Sequence, residues 1–256
     1  EKTLAPSTKE ALRACRKKGI SLFIATARTP LLETMLGWTE AELNFFDGGI
    51  YCNGACEKLH GQTRYAFLPA AVVAGCVKAV ESFPGLHLAL QLKDELHAFN
   101  CPLADFAYPL WGIDPQLSIP LNPNVFNQTV KILIYFENLV DSVTDLPSSL
   151  VNLCQTICMD QANVYLTDQG KVLQITNNQT NKFKSIDHLR RQLNLKPEEI
   201  VVFGDDWNDL EMLTGFPNGV VMGNADRELR CQILYQTQSN DKDGIAYALH
   251  TLLGLI

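Results

Sequence analysis

The sequence predicts an α/β fold: a doubly wound, Rossmann-like core built on a parallel sheet, with a second α/β domain inserted into it. Three observations predict this. In the outer thirds, short apolar runs alternate with amphipathic stretches, the pattern of strand–helix–strand crossovers. The strands there, such as "ISLFIATAR" and "IVVFGDD", are largely apolar, as strands covered on both faces are. The middle third changes texture and carries strand pairs separated by turns at Lys93-Asp94 and Gly170, which signal antiparallel pairing. The expected division is residues 1–66 and 178–256 for a discontinuous core and 67–177 for the insert.

Taken in order, "TKEALRACRKKG" places Leu12 and Cys15 opposite a charged face and ends at Gly19, an amphipathic helix with a glycine stop. "ISLFIATAR" and "FDGGIYCNGA" follow as strands, the second ending in Asn53-Gly54. Pro69 to about Phe83 reads as a helix, then "HLALQLK", "ELHAFN" and residues 129–137 as strands. Helical "SSLVNLCQTI" precedes the paired strands "ANVYLTD" and "KVLQIT". From residue 181 the alternation returns: helix "KFKSIDHLRRQLN", strand "IVVFGDD", a short helix at 207–213, strand "GVVMG", a helix near 226–231, strand "ILYQT", and a final helix from Gly244. Trp38, Trp111 and Trp207 read as packing anchors.

The 256 residues suffice for a substantial core, and 46% hydrophobic with 19% charged residues is an ordinary globular balance. A net charge of −7 with no basic face argues against nucleic-acid binding. No apolar run approaches the ~20 residues that span a bilayer, so no membrane association is expected. A cytoplasmic protein, monomer or homodimer, is the expectation. Eight cysteines at scattered positions, two pairs of them spaced CxxxC, do not match zinc or redox spacing and read as reduced, buried thiols.

In open parallel sheets, ligands bind at the carboxyl ends of the strands. There this chain delivers Thr26 and Arg28 after one strand, Asp205, Asp206, Asn208 and Asp209 after another, and Asn224 after a third, with Lys182 at the start of the intervening helix. Crowded carboxylates repel unless a cation sits among them. Oxygen ligands, a lysine, a hydroxyl and an amide together suit a phosphate with a hard cation such as Mg2+.

These residues carry a resemblance. "IATAR", "NKFKSIDHL" and "GDDWNDLEML" resemble motifs II, III and IV of the haloacid dehalogenase superfamily of phosphohydrolases. The tail "VVMGNADRELR…QSNDKDGIAYAL" and the segment "YCNGA" are similar to its Cof-type sugar-phosphatase branch, and the insert between motifs II and III matches the C2-type cap. The resemblance implies that Asp205 binds Mg2+, with Asp209 beside it steadying Lys182 or metal-bound water. It implies phosphate contacts from Lys182, Asn208, the Thr26 hydroxyl and the amide at Ala27, and a substrate contact from Asn53. Asp206 occupies a variable position and is expected to be solvated.

The chain departs from the pattern in three places. Ala27 replaces the glycine of the family's TGR, which questions the loop geometry, and Phe183 follows Lys182 where glycine is usual. The family's opening strand with DxDGT, which supplies the nucleophile and the general acid/base, is not found, since "EKTLAPSTKEAL" resembles the segment after it. A trimmed sequence of a complete enzyme is the expectation. The resemblance thus implies a Mg2+-dependent phosphatase for small phosphorylated metabolites, sugar phosphates foremost, working through an aspartyl-phosphate. A phosphosugar mutase, or a regulatory phosphate-binding protein without the nucleophile, are the alternatives.

Overall fold

The computed structural model describes residues 4–102, 108, 112–136 and 145–256. Trp111 and Glu137, the expected end of the strand from Thr129, lie outside these residues, as do 103–107 and 138–144 of the insert.

Helix α1 (Pro6–Lys17) begins with proline at its first position and buries Ala11, Leu12 and Cys15. It packs on the last helical segment, α9 (Gly244–Tyr247), which continues as a wider turn through Ala248–Leu252. The first sheet has the order β1 (Phe23–Ala25), β2 (Gly48–Tyr51), β3 (Cys56–Leu59), β4 (Gln62–Tyr65). β1 and β2 are parallel, with Ala25 opposite Ile50. Helices α2 (Leu32–Leu36) and α3 (Glu40–Leu43) lie between them, α3 opened by a Thr39/Glu42 capping box.

Two features differ from the sequence expectation. The ladder of β1 covers only three residues, because the chain leaves it at Thr26 to form a loop. The hairpin β3–β4 was not foreseen: its strands are half polar and turn at His60-Gly61, both at positive φ. That left-handed pair fits a two-residue turn matched to strand twist.

The second sheet has the order β7 (Ser118–Pro120), β6 (His97–Phe99), β5 (Leu86–Leu92), β8 (Thr129–Phe136), β10 (Val172–Asn177), β9 (Ala162–Thr167), antiparallel except at β6–β7. Because side chains alternate along each strand, one face is apolar and one is not. Leu88, Leu90, Ile132, Ile134, Leu173 and Ile175 bury against helices α4 (Ala70–Glu81) and α5 (Ser148–Cys158). Fully burying one such side chain contributes roughly 1.5–3 kcal/mol. Gln91, His97, Lys131, Gln174 and Thr176 have the opposite parity.

The third sheet is parallel: β11 (Val201–Gly204), β12 (Asn218–Val221), β13 (Tyr235–Gln236). Helices α6 (Lys182–Gln192), α7 (Leu210–Gly215) and α8 (Arg227–Arg230) surround it. Ile50 of the first sheet joins Val202, Val221, Ile186, Met212 and Leu213 in one apolar cluster, so the first and third sheets share a core. Phe183, in place of the usual glycine, packs tilted on Phe216 at 5.2 Å and covers Gly215, where an added Cβ would meet its ring at 2.4 Å. All eight cysteines are free, and six are buried.

Candidate active site

The loop leaving β1 is held from beneath. The Asn53 amide donates to Thr26 O at 3.2 Å, the Cys52 amide to Arg28 O at 2.9 Å, and the Arg28 amide to Thr26 Oγ1 at 3.2 Å. Thr26 Oγ1 therefore accepts within the loop and keeps its proton for a ligand. Ala27 is not among the positive-φ residues, so alanine fits here without the freedom glycine would supply. The supporting turn carries the unusual backbone instead: Cys52 (φ +52), Asn53 (φ +58) and Gly54 (φ +97) are all left-handed. Asparagine adopts this region readily; cysteine rarely does, and such outliers gather at functional loops.

That turn also positions Lys182. Gly54 O accepts from Thr180 Oγ1 at 2.6 Å and from Ser185 Oγ at 3.0 Å, which ties the start of α6 to the turn. A Cβ on Gly54 would stand 2.5 Å from Asn181 O, so only glycine permits the approach. Asn181 caps the helix by accepting from the Lys184 amide. Lys182 itself is 5% exposed. Its Nζ donates to Asp209 Oδ1 at 2.5 Å and to Asn208 Oδ1 at 3.5 Å.

Asp209 works with both oxygens. While Oδ1 meets Lys182, Oδ2 accepts from the amides of Asp205 (3.0 Å) and Asp206 (3.3 Å), folding the loop after β11 around one carboxylate. Gly204 makes room, since a Cβ there would lie 2.6 Å from the Asp209 side chain. Asp205 is exposed, with Oδ2 accepting from Asn224 Nδ2 at 2.8 Å. Asp206 corrects the expectation of a solvated residue. It is half-buried and caps the following turn by accepting from the Trp207 amide at 2.8 Å, and burial raises its pKa. Neighbouring Asp168, Asp209 and Asp205 push the same way.

From Asn208 a line of buried side chains runs to the second sheet. Asn208 Nδ2 donates to Asn53 Oδ1 at 3.0 Å and Asn53 Nδ2 to Gln174 Oε1 at 2.9 Å, while Gln174 Nε2 donates to Thr167 Oγ1 at 2.7 Å. Each member is at most 6% exposed. Buried amides this well paired hold a single arrangement, because any alternative leaves a polar group unmet.

Among the described residues, no cluster of three or more His, Cys, Asp or Glu could hold a metal by itself. Mg2+ does not require one, since it commonly takes one or two carboxylates and fills its shell with water and phosphate. Asp205, exposed at the end of a parallel strand and oriented by Asn224, fits one such ligand. Asp209 has both oxygens engaged already, one by Lys182 and the other by the loop amides.

The structure therefore gathers Lys182, Asn208, Asp209, Asp205 and Asn53, with the Thr26–Ala27 loop hydrogen-bonded to Asn53. Sequence reasoning missed Thr180, Ser185, Gln91, Lys131 and Gln174. The last two carried a signal: a lysine in "TVKILIYF" and a glutamine in "KVLQIT", polar side chains within apolar strands.

A family model described as haloacid dehalogenase-like hydrolase matches residues 1–249. The chain belongs to that family. YxeH of Bacillus subtilis (strain 168), whose name classes it among phosphatases, is 25% identical over 261 residues, covering 96% of this chain and 90% of its own. From the same organism, the 5-amino-6-(5-phospho-D-ribitylamino)uracil phosphatase YitU is 25% identical over 273 residues, covering 100% of this chain and 93% of its own. A solved haloacid dehalogenase subclass IIB sugar phosphatase superposes with a TM-score of 0.80 at 21% identity, covering 98% of this chain and 92% of that one. At that identity the likeness is one of fold.

Proposed function

We propose that this haloacid dehalogenase-family chain is a phosphatase that hydrolyses small phosphorylated metabolites, sugar phosphates among them, with Mg2+. The observation that carries the reading is the buried Lys182–Asp209–Asn208–Asn53 cluster beside the Thr26–Ala27 loop, at the carboxyl ends of parallel strands. The names of YxeH and YitU support it.

In this reading, Lys182 and the Asn208 side chain meet phosphate oxygens, and the Thr26 hydroxyl and Ala27 amide donate from the opposite loop. Asp209 holds Lys182 in place, since it is the carboxylate paired with it. Asp205 would hold Mg2+, which when bound neutralises phosphate charge. Residues 67–177 act as a cap over the core formed by 1–66 and 178–256, choosing the leaving group and excluding water. β1 pairs along one edge with β2, and β11 along one edge with β12. In this reading hydrolysis passes through a phosphoaspartate.

The test is phosphate release from a panel of phosphorylated sugars and small acids by the intact protein. Wild type is expected to turn over with Mg2+ and stop in EDTA, and Asp205→Ala to lose at least 100-fold, a magnitude typical of removing one electrostatic stabiliser. Undiminished turnover by Asp205→Ala would sink the assignment.

A further inference from the structure

The polar face of the second sheet holds three donors that the fold leaves partly unspent. Gln91, Lys131 and Thr176 stand in cross-strand register on β5, β8 and β10. All are buried, at 3%, 2% and 0% exposure. Lys131 Nζ donates to Ala27 O at 2.8 Å, placing the row against the loop just described. An ammonium has three protons, and Ala27 O is its single hydrogen-bond acceptor among the described residues. Among the described residues it forms no ion pair with a carboxylate, whereas Lys182 nearby pairs with Asp209. Gln91 Oε1 accepts from Cys52 Sγ at 3.7 Å, and its amide NH2 group donates to no described side chain or backbone group. Thr176 Oγ1 is fully enclosed and has no hydrogen-bond partner among the described residues.

A buried cation without a counter-charge is costly, as is a buried hydroxyl without a partner. Burial is the main cause that lowers the Lys131 pKa to about 7; the Lys182 and Arg28 charges push the same way, while Cys52 and Asp168 push back. Asp168, just past β9, offsets that cost only in part and makes no ion pair with Lys131. Positive charge, amide N–H and hydroxyl in one row are the donors that an acidic oxygen group takes up.

We propose that Gln91, Lys131 and Thr176 form a second anion subsite, which recognises an acidic group, carboxylate or phosphate, on the leaving-group part of the substrate. The proposal rests on the phosphatase reading for what the other end of the substrate is. The transferred phosphate is met by Thr26, Ala27, Lys182 and Asn208, so the row on the second sheet is left to the remainder of the molecule. The preferred substrates are then phosphorylated acids or bisphosphates rather than neutral sugar phosphates.

The experiment measures binding and turnover separately in the intact protein. Calorimetric titrations in EDTA compare three matched pairs: 3-phosphoglycerate with glycerol 3-phosphate, 6-phosphogluconate with sorbitol 6-phosphate, and fructose 1,6-bisphosphate with fructose 6-phosphate. The first two pairs report a carboxylate and the third a phosphate. At least one acidic member is expected to bind about tenfold tighter than its partner, the scale of one charge-assisted hydrogen bond. Lys131→Met, which keeps the length of the side chain, should bring that ratio below about twofold, and Thr176→Val should lower it about threefold.

Lys131→Met is also expected to raise Tm by roughly 2–4 °C, because it removes an unpaired buried charge. A lysine kept only to brace the Ala27 loop would lower Tm when lost. Equal binding within every pair overturns the subsite, as does discrimination that survives Lys131→Met. Phosphate release without discrimination overturns the subsite and leaves the phosphatase reading intact. Discrimination without phosphate release from any substrate in Mg2+ overturns the phosphatase reading and leaves the subsite standing.

Discussion

Replacing Asp209 with alanine tests the centre of the site through stability rather than turnover. In the wild type, Asp209 and Lys182 form an ion pair with side chains 6% and 5% exposed. Removing one partner of a buried pair leaves an uncompensated charge and costs about 3–5 kcal/mol. Two loop amides also lose their acceptor. With a Tm change of about 2–4 °C per kcal/mol at this size, Asp209→Ala should melt roughly 10 °C below wild type. The double variant Asp209→Ala/Lys182→Met removes the stranded charge as well as the carboxylate. It should recover at least about 2 kcal/mol, remaining below wild type by about 1–2 kcal/mol for the two amides. Urea denaturation followed by circular dichroism measures all four corners of the cycle. A single variant within about 1 kcal/mol of wild type, or a double variant no more stable than the single, would refute the claim that Asp209 exists to hold a buried lysine.

Three other outcomes follow from the geometry. Gly204→Ala would push a methyl group into the Asp209 side chain and should cost about 1–3 kcal/mol, seen as a lower urea midpoint with lowered phosphate release. A Gly204→Ala protein as stable and active as wild type would show that the loop has slack. Gln174→Leu strands the Asn53 amide and should cost about 1–3 kcal/mol in urea denaturation and reduce kcat more than KM, since Asn53 orients Asn208; an unchanged kcat rules the link out. His97 is 1% exposed, and burial lowers its pKa to about 4. The unfolded chain therefore takes up its proton near pH 6.5 and the folded chain only near pH 4, so its stability contribution is full above pH 6.5 and falls as pH drops between those values. The loss should approach about 3 kcal/mol, and His97→Gln should flatten that part of the stability–pH curve. A wild-type curve already flat between pH 6.5 and 4 contradicts it.

The order of elements and the polar groups at the strand ends could be read because local pattern encodes them. Apolar runs stopping at Thr26 and at Asp205 mark strand ends whether or not their neighbours are known. What could not be read depends on contacts between distant segments. Gln174 matters because Asn53, 121 positions away, donates to it. Thr180 and Ser185 matter because the left-handed Gly54 turns its carbonyl toward both. The β3–β4 hairpin stayed hidden because its alternation is blurred by Glu57, Lys58, Gln62 and Arg64 in largely open strands. The Ala27 substitution looked disruptive from its residue type, yet the left-handed strain sits one loop away, at Cys52–Gly54.

The separation of duties between segments also bears on how such a protein can change over time. Lys182 takes its place from Gly54, Thr180, Ser185 and Asp209, all outside residues 67–177, which reach this set through Asn53–Gln174 and through Asn163, donating to Thr180 O at 2.7 Å. Gln91, Lys131 and Thr176 stand on strands whose other face is an apolar layer indifferent to what the polar face carries. Under the proposed subsite, drift on that polar face would retune molecular preference without disturbing Lys182, provided Gln174 and Asn163 are kept. If the proposed subsite holds, heritable variation in selectivity has a surface of its own, joined to the lysine's surroundings by a few named hydrogen bonds.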